Sequence, residues 1–102
     1  MNKDHTYKRL NSQSLGDVIQ QYIRQSGIQP KLDEATIIST WEEIVGKMIA
    51  RHTEDLYLKN RKLYIKFDSA ALKQEMMYAK SKLVEKINQA IGHEAIHEVV
   101  VL

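Results

Sequence analysis

The sequence predicts an α+β fold in which a three-stranded sheet carries its helices on one face, with elements in the order α-α-β-β-α-β. Three observations predict it. Apolar residues recur with a helical period before residue 54, alternate strictly over residues 54–67, and regain a helical period from Asp68 onward. Residues 96–102 are rich in valine, too short and too β-branched for a helix, and suited to a third strand. A third strand reached from a hairpin through a helix places helices and sheet in two packed layers.

At 102 residues the chain has the size of one small domain with a single core. Residues 1–13 show no sustained apolar period and are rich in Asn, Lys, Ser and Gln, so they read as a flexible arm. Residues 14–102 form the domain. Ser14 is a good N-cap with Asp17 three residues on, and Leu15, Val18, Ile19, Tyr22 and Ile23 make one apolar stripe until Gly27 stops the first helix. Ile28 folds back over that end. Pro30 permits a turn, after which Asp33 caps a second helix whose stripe is Ile37, Trp41, Ile44, Val45 and Met48, with Gly46 as stop signal.

The hairpin follows from alternation. Leu56 and Leu58 alternate with Tyr57 and Lys59, the tripeptide Asn60-Arg61-Lys62 turns, and Leu63, Ile65 and Phe67 alternate with Tyr64 and Lys66. One face of this hairpin is apolar. Asp68 or Ser69 caps one long third helix in which Leu72, Met76, Ala79, Leu83, Ile87 and Ala90 share a face, and Gly92 ends it. Neither repeats nor low-complexity tracts interrupt this order.

Composition excludes several classes. With 43% hydrophobic and 27% charged residues the chain is that of an ordinary globular protein. It contains no cysteine, which removes disulfides, thiolate chemistry and cysteine-based zinc sites and suits a reducing compartment, with the cytoplasm as the default. The first residues hold no apolar stretch able to act as a signal sequence, and no uncharged apolar run nears the ~18 residues of a membrane span. A net charge of +2 is too small to argue nucleic-acid binding by itself. The distribution says more: cations gather in the arm, at the hairpin turn and on the last long helix, and acids in the helix before the hairpin and at its mouth.

His93-Glu94-Ala95-Ile96-His97 matches the H-E-x-x-H pattern of helical zinc sites. That pattern needs a continuing helix, and Gly92 has just ended one. In an extended segment the two histidines lie ~13 Å apart, too far to share an ion held at ~2.1 Å. A turn leading into a strand, with both histidines facing solvent, is therefore expected, with no metal and no cofactor. The carboxylate pairs Asp33-Glu34 and Glu42-Glu43 suit a helix N-terminus and a solvated face. Ser69 lacks a G-x-S-x-G turn, and no G-x-x-x-x-G-K-[ST] nucleotide loop exists. An enzyme is not expected.

Lys59, Arg61 and Lys62 at the hairpin tip, with Tyr57 and Tyr64 on the strands' second face, have the makeup of a weak nucleic-acid surface: cations for phosphate and rings for stacking. Lysine-rich edges also serve to discourage strand-to-strand aggregation. On the last helix Met77, Val84 and Ile91 recur every seventh residue, a quarter turn from the core stripe and beside Lys73 and Lys80. They are either the flank of a wide buried face or a strip that binds a partner protein. Trp41 sits mid-stripe and reads as core. Gly46 reads as a backbone device, serving left-handed geometry or close packing.

The run W-x-x-x-V-G at residues 41–46, then I-A-x-H-T at 49–53, then L-Y-I-K-F-D-S-A at 63–70, resembles the bacterial DciA family of replicative-helicase loaders. The resemblance covers residues 15–101, centres on Trp41 and Gly46, and implies a fold similar to a KH domain. It further implies a non-enzymatic adaptor that binds the DnaB-type replicative helicase, assists its loading on DNA, and binds DNA weakly without sequence preference. Two features depart from the pattern. The G-x-x-G clamp of KH domains is absent, and the long basic extension carried by many members has no counterpart after residue 102. The alternatives are a general single-stranded nucleic-acid or RNA-binding module and, from another class, a small hydrolase built around the histidines.

Overall fold

A computed structural model of the chain describes residues 15–19 and 27–102. The arm expected at residues 1–13, the Ser14 cap, Tyr22 and Ile23 lie outside the described residues. Residues 15–19 are helical, with Leu15, Val18 and Ile19 exposed. The remaining elements are α1 (Gln29–Val45), α2 (Lys47–Arg51), β1 (Thr53–Lys59), β2 (Lys62–Phe67), α3 (Ala70–Met77), α4 (Lys80–Ile91) and β3 (Glu98–Val101).

Helix α1 begins four residues before the expected cap. Pro30 is the reason: its fixed φ and missing N–H suit the first helical turn, so the helix is entered from Ile28 and Asp33 lies inside it. Asp33 is buried there at 6% exposure, which a cap would not be. The expected stripe is otherwise correct in Ile37, Trp41 and Ile44, all buried, with Val45 half-buried. Gly46 ends the helix at φ 92° and ψ 164°, with its N–H donating to the Glu42 carbonyl at 2.8 Å. This is a backbone conformation open almost only to glycine. A Cβ placed there would meet nothing within 4 Å, so the demand is conformational and not one of close packing. The break redirects the chain into α2 and removes Met48 from the stripe; it is 61% exposed.

The hairpin pairs Tyr57 with Tyr64, Leu58 with Leu63 and Lys59 with Lys62, with a bulge between Thr53 and Asp55. Its turn has two residues and not three. Asn60 and Arg61 take φ 53° and 62°, the left-handed pair whose twist matches the strands, and Lys62 is the first residue of β2. Asparagine tolerates this region; arginine does so less readily. Two interactions hold Arg61 in place: its carbonyl accepts from the His97 N–H at 2.9 Å, and its guanidinium donates to the Glu94 carbonyl.

The long third helix is in fact two. Ser69 caps α3 by accepting from the Leu72 N–H at 3.2 Å, but α3 stops at Met77 and α4 starts at Lys80. Tyr78 and Ala79 donate to the carbonyls of Glu75 and Met76, a tighter three-residue spacing that ends the helix. An unbroken helix over residues 70–91 would be ~33 Å long, whereas three strands span only ~10 Å across. Breaking it lets Leu72 and Met76 on one half, and Leu83 and Ile87 on the other, all reach the core. Ala90 falls outside this face and is exposed.

Gly92, at φ 95°, ends α4 as expected. Residues 93–97 are irregular, and Asn88 organises them: its Oδ1 accepts from the N–H groups of Ala95 and Ile96 at 2.9 and 3.0 Å, and its Nδ2 donates to the Ile96 carbonyl at 2.8 Å. Ile96 is thereby a fully buried plug before the strand and not its first residue. β3 runs parallel to β2, giving sheet order β1-β2-β3. Leu63, Ile65, Phe67 and Val99 face the helices in one core; the opposite sheet face bears no helix among the described residues.

Candidate nucleic-acid and partner surfaces

The uncovered sheet face follows from the two-residue period. It carries Asp55, Tyr57 and Lys59 of β1, Lys62, Tyr64 and Lys66 of β2, and Glu98 and Val100 of β3, in the rows Tyr57-Tyr64-Val100 and Lys59-Lys62-Glu98. The tyrosine rings stack on one another, with centroids 4.9 Å apart and planes 7° apart. Such cross-strand pairs stabilise a hairpin and leave edges and one outer face for contact. Lys62 Nζ lies 3.8 Å from Glu98, while Lys59 and Lys66 have no ion pair among the described residues.

Four of the five residues expected to bind nucleic acid, Tyr57, Lys59, Lys62 and Tyr64, thus share one face. Arg61 does not act with them. Its guanidinium is held by Glu94, whose carbonyl it meets and whose carboxylate lies 3.8 Å away. Lys66 also belongs to this face; the alternation Lys62, Tyr64, Lys66 is the signal that marks it, although it lies away from the hairpin tip.

The strip expected on the last helix is divided by the break. Lys73 and Met77 lie on α3, Met77 being 49% exposed; Lys80 and Val84 lie on α4, where Val84 is half-buried against the core. Val84 and Ile91 therefore flank the buried face, and Met77 stands apart from them. Beside Met77 the structure exposes Tyr78 to 85%.

The motif residues form one hydrogen-bonded unit. Trp41, 5% exposed, donates from Nε1 to Thr53 Oγ1 at 2.9 Å, and Thr53 in turn donates to the Ile49 carbonyl at 2.7 Å. Next to it His52 Nδ1 meets Asp68 Oδ1 at 2.8 Å, and the Asp68 N–H donates back to the His52 carbonyl at 3.0 Å. The unit ties the end of α1, α2 and both ends of the hairpin. Asp68 is occupied there, which leaves Ser69 as the cap.

Residues 93–97 are not helical, so the two histidines do not share a helix face. No group of three or more potential ligands for a metal occurs among the described residues. Both histidines are exposed, as expected, but His93 also makes a contact that the sequence does not announce. Its Nε2 lies 3.0 Å from Asp33 Oδ1, which also accepts from Gln29 Nε2 at 2.8 Å. The carboxylate is buried in α1 and needs these donors; sequence alone could not pair residues sixty positions apart. The network forms one wall of a cleft of about 550 Å³ between the start of α1, the hairpin tip and residues 93–95. No described helix is long and apolar enough to cross a membrane.

Fold and surfaces define a small α+β module with one open, lysine- and tyrosine-bearing sheet face. The family model "Dna[CI] antecedent, DciA" matches residues 14–101, and the chain belongs to the DciA family. It is similar to a UPF0232 protein of Corynebacterium glutamicum, 31% identical over 87 residues that make up 85% of this chain and 49% of the relative. A UPF0232 protein of Rhodococcus jostii is 30% identical over 80 residues, 78% of this chain and 43% of that protein. The chain thus spans about half the length of these relatives or less. No solved structure matches it, and the KH likeness that the family implies has no solved counterpart to support it here.

Proposed function

We propose that this chain is a non-enzymatic accessory protein of bacterial DNA replication, which binds the DnaB-type replicative helicase and assists its loading on DNA in the cytoplasm. The observation that carries the reading is the family match over residues 14–101, nearly the whole chain. The open sheet face supports it, since Lys59, Lys62 and Lys66 beside a tyrosine pair suit weak, sequence-independent contact with phosphates and bases. The helicase contact is assigned to the exposed part of the α3–α4 corner, Met77 with Lys73 and Lys80, where apolar surface is rimmed by charge. Val84 supports this corner from the core side. The test is co-purification of the chain with the helicase of its own organism, followed by helicase loading on single-stranded DNA. Wild-type protein that neither binds that helicase nor promotes its loading overturns the reading.

The tyrosine pair favours a second reading, a general single-stranded nucleic-acid module. A salt series on single-stranded DNA and RNA, with and without helicase, separates the two. A pure nucleic-acid module binds at least as tightly alone as with helicase present.

A further inference from the structure

We propose that the cleft between α1, the hairpin tip and residues 93–95 is a socket for one basic side chain, arginine or lysine, presented by a partner protein. Its volume of about 550 Å³ is that of a ligand site and exceeds what a water cluster needs. The inference stands on this cleft alone and does not depend on the nucleic-acid or helicase reading.

The charge balance of the cleft selects the ligand. Asp33 is 6% exposed, and its Oδ1 is saturated by Gln29 and His93, while Oδ2 has no partner among the described residues. No fully buried side-chain oxygen or nitrogen lacks a partner among those residues, so Oδ2 opens toward the cleft. His93 meets Asp33 through Nε2 at the Oδ1 side only, and leaves the Oδ2 side of the carboxylate to the cleft. Among the described residues of the wall, the guanidinium is Arg61, which is turned to Glu94 and held by that residue's carbonyl. Glu94 adds a second, largely exposed carboxylate at the rim. Among the described residues the cleft wall thus sets two carboxylates, Asp33 and Glu94, against one guanidinium, and a buried carboxylate gains from a further cation.

The lining fits the rest of such a side chain. Pro30, Leu58 and Ala95 supply an apolar wall for a methylene stem, while the charged head reaches Asp33 and Glu94. His93, the first histidine of the H-E-x-x-H match, acquires a role in this arrangement. It positions the carboxylate at the socket's floor without filling the socket.

The experiment is titration of the full chain with acetyl-Gly-Arg-Gly-amide, followed by amide chemical shifts, with acetyl-Gly-Gln-Gly-amide and inorganic phosphate as contrasting probes. The arginine peptide is expected to shift the amides of residues 29–34, 58–61 and 93–95 in a saturable way, and the glutamine peptide is not. Asp33→Asn is expected to weaken the arginine peptide by about 10- to 100-fold, the worth of a charged hydrogen bond. If that variant fails to fold, Glu94→Gln, at an exposed side chain, must still weaken binding. Equal shifts with the glutamine peptide, or wild-type affinity in the variants that fold, overturn the proposal. Phosphate shifting the same amides in place of the peptide overturns it as well and makes this an anion site built on Arg61.

Discussion

Trp41 carries more of this fold than its ring area alone, because its indole N–H is also the donor that fixes Thr53 at the mouth of the hairpin. Trp41→Ala is expected to cost about 3–5 kcal/mol, as for other buried aromatic truncations. Trp41→Phe should cost less, keeping most of the packing but leaving Thr53 without its donor. Urea unfolding of both variants measures the difference; equal and negligible losses would move Trp41 from the core to a binding surface. Gly46 allows a sharper test at the same scale. Its requirement is φ alone, with open space where a side chain would go. Gly46→Ala and Gly46→Ser should therefore destabilise alike, by about 1–3 kcal/mol, whereas a packing role would penalise the larger serine more. The sequence marked both residues through the helical stripe and the stop signal. It did not mark Asn88 or pair His93 with Asp33, because these contacts join separate parts of the chain and follow no local period.

At the scale of elements the decisive event is the break between α3 and α4. No glycine or proline announces it, since Tyr78 and Ala79 are both compatible with a helix. It separates two residues that a continuous helix would have placed on one line. Val84→Ser should destabilise by about 1–2 kcal/mol through its half-buried packing, while Met77→Ser should leave thermal unfolding nearly unchanged. If Met77 belongs to the helicase contact, Met77→Ser weakens co-purification without loss of stability. Full binding by that variant would remove the site and leave the function to be tested separately. The hairpin shows the opposite balance, in which the two strands and their exposed face were both legible from alternation. Only the turn length was not, because the left-handed conformation of Arg61 depends on Glu94 and His97 across the molecule.

At the scale of the whole molecule, one face of the three-stranded sheet bears no helix among the described residues, and this is where lysines and the tyrosine pair accumulate. Replacing Lys59, Lys62 and Lys66 together with glutamine should lower affinity for single-stranded DNA. It should also reduce the salt slope by about 0.7 for each phosphate that is no longer neutralised, at most about 2 in all. Lys62 should contribute least, as Glu98 already lies within 3.8 Å of it. Fluorescence anisotropy over a salt series reads both quantities. An unchanged slope in the triple variant would shift DNA binding away from the sheet.

By itself the sequence determined the α+β class, the hairpin and its apolar face, the helix ends at Gly46 and Gly92, the terminal strand and, through the spaced motif, the family. These are local properties, set by side-chain period and by glycine's backbone freedom within a few residues. The tertiary structure alone decided the break after Met77, the diversion of Arg61 from the basic face, the burial of Asp33 and its meeting with His93. Each of these depends on competition between distant groups for one place in a small core. A buried carboxylate takes whichever donors the fold brings within about 3 Å, and no spacing along the chain states which those will be.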